Sequence, residues 1–364
     1  MCVQNRGRAS DAAVPLPPIF LPPGACCMTE QPIAGRLPGR VLSALCALVV
    51  GLALPLLAGC GEAPQLPLRV GINPWVGYDP LVLARERGLF SASDLRVVEL
   101  ETSNESARQL RNGLIDAAGL TLPEAVELAA AGIDVRVVAV LSLSRGADAV
   151  LARPGIDSAD RLRGRRVGLE DTALASIMLQ RLLEAGGLRR DEVSLVMLPV
   201  VEHESALKAG RVDAVITFEP VISRLSSAGF VVVLDSANMP GAVVDVLAVR
   251  ADALQARPHQ VQVLLGAFEA GRREMLARPA EAANSLAAGA DLTADEYALA
   301  LSRLNIYSDV QSQALLAAPT GSPALGLAQL SSDLKASGRM MADPDWSRLF
   351  VPGLAPARDG TGAQ

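Results

Sequence analysis

Two segments of this chain recur at one spacing, and that spacing constrains the fold more than any single motif. RVGI at 69–72 returns as RVGL at 166–169, an offset of 166 − 69 = 97. LRNGLIDA at 110–117 returns as LKAGRVDA at 207–214, and 207 − 110 is again 97. Two matches at one offset imply a duplicated unit. Short apolar runs at 70–72, 95–100, 117–120 and 135–141 alternate with helical stretches near 81–87, 106–111 and 123–130. The second copy repeats the order with strands at 167–169, 193–199 and 212–217 and helices at 172–185 and 203–209. Leu174, Ile177, Met178 and Leu182 share one face of the first of these helices, which Gly186 and Gly187 close. Alternating strands and helices predict parallel-rich α/β sheets with right-handed crossovers.

The breaks ARPGI at 152–156 and ANMPG at 237–241 bracket the second copy. The economical arrangement inserts lobe II, 156–240, into lobe I, 68–155 plus 241–350, with two crossover segments as the hinge. An apolar strand at 243–249 follows the second break, then helices to about 337. Residues 351–364 read as a flexible tail. At 364 residues the chain exceeds one typical core, which suits two lobes.

The amino terminus reads as an export signal. Arg36 and Arg40 precede an apolar run, 41–57, that ends in LAGC at 57–60. Leu-Ala-Gly-Cys resembles a bacterial lipobox, in which Cys60 would be lipidated and become the first residue. The alternative is an uncleaved signal anchor. A start at Met28 gives a signal of ordinary length, 28–59, leaving 1–27 as a dispensable or mis-assigned extension and 60–67 as a linker. The five cysteines all lie at or before residue 60, so no disulfide framework or thiolate metal site is expected in the body. Lipidation at Cys60 would leave 364 − 59 = 305 residues with 29 basic and 37 acidic side chains. An acidic body with only Lys208 and Lys335 as lysines argues against nucleic acid as a partner.

In open α/β sheets ligands sit at the carboxyl ends of the strands, so two facing lobes would converge their loops on one cleft. Trp75 and Tyr78, scarce aromatics on the loop after the first strand, are the best contact candidates; the alternative is that Trp75 fills a core gap. Thr121 follows the third strand of lobe I, and Phe218 and Glu219 hold the corresponding place in lobe II. Glu219 could instead cap a helix beginning at Pro220. Ser144 and Asp148 flank a glycine turn after the fourth strand, where Asp148 could meet a ligand N–H or serve the hinge. Asp171 or Thr172 stands at a helix N-cap, with Thr172 the better ligand candidate. Asp79, Asp148, Asp171 and Glu219 against the single Arg145 favour a neutral or cationic nitrogen compound, such as an amino-pyrimidine-like heterocycle. Neither His203 nor His259 has metal-ligand spacing, and there is no G-x-S-x-G elbow or P-loop.

The segments GINPWVGYDPLVLARERGLF (71–90), LRNGLIDAAGLTLPEA (110–125), SRGADAVLARPGI (144–156), LRGRRVGLED (162–171) and LKAGRVDAVITFEP (207–220) resemble substrate-binding proteins of the nitrate/sulfonate/taurine and thiamine-precursor class of ABC importers. The resemblance spans roughly 68–350; Arg145 stands where the family pattern has Asn. It implies a bilobed type II periplasmic-binding fold, a monomer without cofactor, closing over one nitrogen-containing or sulfonate-like molecule. The partners it implies are a membrane permease and its ATPase subunits. The alternatives are a lyase or synthase on the same fold, or a lipoprotein sensor presenting its ligand to a receptor.

Overall fold

The structure is a computed structural model that describes residues 66–239 and 243–357. The first copy runs β1 (Leu68–Ile72), α1 (Asp79–Glu86), β2 (Leu95–Glu99), α2 (Ser103–Arg111), β3 (Ala117–Thr121), α3 (Leu122–Ala130) and β4 (Val135–Ser144). The chain then crosses into β5 (Asp148–Ala152). The second copy follows as β6 (Arg166–Leu169), α4 (Ala173–Gly186), β7 (Ser194–Met197), α5 (Val200–Lys208), β8 (Ala214–Phe218), α6 (Val221–Ser227) and β9 (Val231–Asp235). It returns through β10 (Val244–Arg250), α7 (Ala251–Ala256), α8 (Pro258–Ala277), α9 (Pro279–Leu286) and α10 (Ala294–Ser302). It ends with β11 (Leu304–Ile306), α11 (Asp309–Ala317), α12 (Leu327–Ala336) and α13 (Trp346–Leu349).

The strands form two sheets, ordered β11-β4-β10-β3-β1-β2 and β7-β6-β8-β5-β9. The duplication is visible in both. β1 pairs parallel with β2 and β3, and β6 pairs parallel with β7 and β8. Beside β3 lies antiparallel β10; beside β8 lies antiparallel β5. Each sheet is therefore completed by a strand entering from the other, which makes the molecule two α/β lobes joined by two crossings.

The crossings differ from the sequence expectation. Asp148 to Ala152 pairs with β8 and β9, so the chain leaves the first sheet at 145–147 rather than at 156. The turn signal at Gly146, whose φ is 107°, marks the true crossing. The return lies between β9 and β10, with 240–242 outside the described residues. Ser236 ties the two crossings together: its Oγ lies 2.7 Å from Ser144 Oγ and accepts from Gly146 N at 2.7 Å. Three strands were missed, β5, β9 and the three-residue β11. The carboxyl-terminal segment is not a free tail as far as residue 357, because Val351 N donates to Val137 O and Ala357 N to Gln262 O. The start of the body is held likewise, with Gln260 Nε2 donating to Leu66 O. The signal, Cys60 and residues 358–364 lie outside the described residues.

The repeated sequence carries a repeated fork. Arg69 donates through its backbone N, Nε and Nη2 to the Asp116 carboxylate at 2.8, 3.0 and 2.9 Å, and through Nη2 to Gly113 O at 2.9 Å. Ninety-seven residues on, Arg166 makes the same set to Asp213 at 3.0, 3.1 and 3.0 Å and to Gly210 O at 2.8 Å. Gly113 and Gly210 both have φ of 70°, the left-handed turn that brings their carbonyls under the guanidinium. Arg257 adds a second cation on Asp116 at 2.7 Å, and the carboxyl is held down to about 2 although burial opposes this.

Asp116→Ala should cost about 2 kcal/mol, below the usual range for opening a buried pair because Arg69 is 40% exposed. Asp213→Ala should cost less, since its further cation among the described residues, Arg153, sits at 3.6 Å. Urea unfolding of both variants checks this; an equal or reversed order would show that the second cation on Asp116, Arg257, contributes nothing.

Candidate ligand-binding site

A pocket lies where the loops of the two sheets meet, with space of about 50 Å³, room for a handful of heavy atoms. The first lobe lines it with Asn73, Trp75 and Tyr78 after β1, Ser103 at the head of α2, and Thr121 and Glu124 at the junction of β3 and α3. The second contributes Asp148, Glu170, Thr172, Thr217 and Phe218, with Leu174, Ala175, Met178 and Ile216 behind them. Asp245, at the start of β10, closes the floor.

Six of the sequence candidates, Trp75, Tyr78, Thr121, Asp148, Thr172 and Phe218, thus come together on this pocket. Trp75 is buried, donates Nε1–H to Asp245 Oδ2 at 3.0 Å, and meets Phe218 of the other lobe edge-on at 5.6 Å and 87°. It therefore fills the core and faces the pocket at once. Tyr78 lies flat across Gly119, where a Cβ would stand 2.8 Å from its ring. Thr172 caps α4, accepting from Ala175 N at 3.0 Å.

Two candidates are elsewhere. Ser144 belongs to the hinge staple with Ser236. Glu219 is fully buried and not among the pocket residues; it accepts from Ser223 N at 3.0 Å, capping α6, and from Arg303 Nη1 at 2.6 Å. Of the other charges weighed from sequence, Asp79 accepts from Tyr297 Oη at 2.5 Å, Asp171 pairs with Arg339, and Arg145 is exposed.

Sequence reasoning missed Asn73, Glu124, Glu170 and Asp245. The 97-residue offset could have found one of them: Asn73 and Glu170 occupy the same position of the repeat, since 170 − 73 = 97. Asp245 was legible only as a lone charge in the apolar run VDVLAV. Register gives its meaning. Asp245 pairs with Thr121 in the first sheet, as Asp148 pairs with Phe218 in the second, and 218 − 121 is again 97.

Four carboxyl groups therefore face one small space, and no Arg, Lys or His is among the residues that line it. Burial pushes the Asp148 carboxyl well above the usual carboxylate range, against the Ser144 hydroxyl and with Asp245, Glu219 and Glu124 adding repulsion. Burial raises Asp245 to about 7, against the Ser142 hydroxyl and the Trp75 N–H. Glu170 is likewise raised to about 7 by burial, against its bond from Val200 N. Glu124 is raised less, being held by Thr121 N at 2.9 Å and Ser103 Oγ at 2.8 Å. Among the described residues no group of three or more His, Cys, Asp or Glu is placed to hold a metal ion.

Comparison with known proteins follows this architecture. Residues 61–288 match the model of the NMT1-like family. A protein of Brucella abortus (strain 2308) named as a binding protein is 27% identical over 181 residues, covering 49% of this chain and 56% of that one. The chain thus spans about half the length of the curated relatives it matches. Among solved structures, the alkanesulfonate-binding protein SsuA of Xanthomonas axonopodis pv. citri, bound to MOPS, aligns with a TM-score of 0.65 at 19% identity, covering 79% of this chain and 99% of that one. The desulfurization enzyme DSZB aligns at 0.58 and 17% identity, covering 80% and 97%. Both likenesses establish the periplasmic-binding fold. With the family model matched over more than half of its length, the chain belongs to the NMT1-like family.

Proposed function

We propose that this protein is the solute receptor of an ABC importer, catching one small nitrogen-containing molecule between its lobes and handing it to a membrane permease. The single observation that carries this reading is the pocket itself, walled by residues of both sheets and floored by the strand that returns between them. A ligand there touches both lobes only when they are closed, so its binding energy is by construction a bias toward closure.

Contacts across the cleft support the closed form. Arg303 meets Glu219 at 2.6 Å, Arg181 meets Asp333 at 2.7 Å, and Arg224 donates to Ala290 O at 2.9 Å. Each is a polar pair that opening would hand to water, which fits a two-state hinge of modest energy. The fold also carries an enzyme among its solved neighbours, so fold by itself does not decide between binding and catalysis. The pocket holds four carboxyls, several hydroxyls and the Asn73 amide; buried carboxyls can serve as general acids or bases, so turnover of the ligand is what separates the two readings.

We further propose that the LAGC segment directs lipidation of Cys60, tethering an exported body to a membrane. Among the described residues no helix is long and apolar enough to cross a membrane.

Two outcomes are expected. A cognate solute should stabilise the fold by mass action, by about 2.7 kcal/mol at a hundredfold excess over Kd, raising the unfolding midpoint, and compact the protein in small-angle scattering. Trp75→Ala and Phe218→Ala, one from each lobe, should each lose that response by tenfold or more in affinity. A compound that is consumed rather than bound would replace the receptor reading with the enzymatic one. For the anchor, the mass of the native protein should equal a chain beginning at Cys60 plus lipid. A chain retaining residues 28–59 would show the signal to be an uncleaved anchor.

A further inference from the structure

We infer that the pocket is built for a small organic monocation bearing several N–H donors, of the guanidinium, amidinium or primary-ammonium class. This rests on the receptor reading and commits it to a charge and a size.

First, the pocket has acceptors with nothing to accept. Asp148 Oδ2, Thr217 Oγ1 and Asn73 Oδ1 make no hydrogen bond in the protein, although their residues are only 4%, 3% and 6% exposed. A buried polar atom left without a partner is unfavourable, and three of them converge here from both lobes. The Thr217 hydroxyl and the Asn73 amide can turn to suit either kind of partner. Asp148, whose carboxyl burial keeps protonated in the empty pocket, becomes a pure acceptor once a bound cation draws off that proton.

Second, the charges are all of one sign. Glu124, Asp148, Glu170 and Asp245 line the space, Glu219 stands behind Asp148, and the Arg303 guanidinium beside Glu219 is already engaged by it. An oxyanion entering would meet repulsion and bring no donor. A cation would neutralise the crowding that burial and mutual repulsion impose on these carboxyls.

Third, size and aromatic walls select among cations. The space of about 50 Å³ admits a few heavy atoms. Trp75 from one lobe and Phe218 from the other add ring faces and edges beside the carboxylates, a setting that suits a delocalised cation. A divalent metal finds no ligand group among the described residues.

The test is calorimetric titration of the full chain with guanidinium, acetamidinium and methylammonium chlorides at submillimolar concentrations, beside tetramethylammonium. Sodium nitrate, bicarbonate and methanesulfonate form the opposing panel. At least one N–H-bearing cation should bind a hundredfold or more tighter than tetramethylammonium. Its affinity should rise tenfold or more between pH 6 and pH 8, as Asp245 and Glu170, each raised to about 7, lose their protons. Asp148→Asn and Glu170→Gln should each weaken it at least tenfold while unfolding at pH 8 no earlier than the parent. The inference is overturned if tetramethylammonium binds as well, if no cation binds, or if an oxyanion binds with affinity falling as pH rises, the signature of protonated carboxyls donating to it. An oxyanion that compacts the protein in scattering would leave the receptor reading standing. A cation that binds without compaction would instead remove that reading and keep the cation site.

Discussion

The forks Arg69–Asp116 and Arg166–Asp213 fix where each sheet begins. In both lobes the arginine opens the first strand and the aspartate precedes the third, so their bonds lock two parallel strands in register at the end away from the cleft. A one-residue slip between parallel strands would turn every side chain to the opposite face. With that end clamped, the other end is determined: Asn73 and Glu170 emerge at equivalent points, followed by Trp75 and Thr172. The cleft is thus set by an interaction on the far side of each sheet, some five residues of strand away. Because the forks are charge-assisted and geometrically two-pronged, they specify register more sharply than the apolar packing around them.

The same duplication explains what could be read from the sequence. Elements with their own periodicity, such as α4 and the strands repeated at an offset of 97, declare themselves locally. So do the loops at their carboxyl ends, which is why Trp75, Tyr78, Thr121, Thr172 and Phe218 could be named together. What could not be read is pairing between distant strands. Asp245 lies 124 residues from Thr121, and only the antiparallel return of β10 sets them side by side. Likewise the fate of Glu219 depends on Arg303, brought in by a strand too short to carry a pattern. The acidic residues weighed for the cleft are distributed by such long-range pairings. Of the four carboxyls weighed, Asp148 lines the pocket, while Asp79, Asp171 and Glu219 found partners elsewhere; Glu124, Glu170 and Asp245 take their place.

The carboxyl cluster also works against the fold that holds it. Carboxyls raised in the folded state contribute stability that is complete below their unfolded values, near pH 4, and lost as pH rises through about 7 for Asp245, Glu170 and Asp79. His203 acts in the other direction. It is buried, donates to Leu198 O in its neutral form, and is lowered to about 4, so its contribution is present above pH 6.5 and fades as pH falls. Asp148 and Glu124 are raised as well, so the ligand-free pocket is strained at neutral and alkaline pH, whereas Asp116, held down to about 2, acts in the same sense as His203. Local rules are broken here and kept elsewhere, the pattern expected of a functional site.

That strain is also what gives a hinge its direction. An open cleft lets water solvate Asp148, Glu170 and the unpartnered hydroxyls, whereas closure buries them beside one another with the Trp75–Phe218 contact as the main apolar return. Closure without ligand is therefore opposed by desolvation, and closure around a complementary ligand is not. The difference between those two free energies, rather than the number of contacts the ligand makes, determines how far it can shift the equilibrium. A pocket already satisfied by its own side chains would close empty and signal nothing. The unmet acceptors make closure conditional on what is bound, and the clamped strand ends ensure that both lobes present them to the same few ångströms of space.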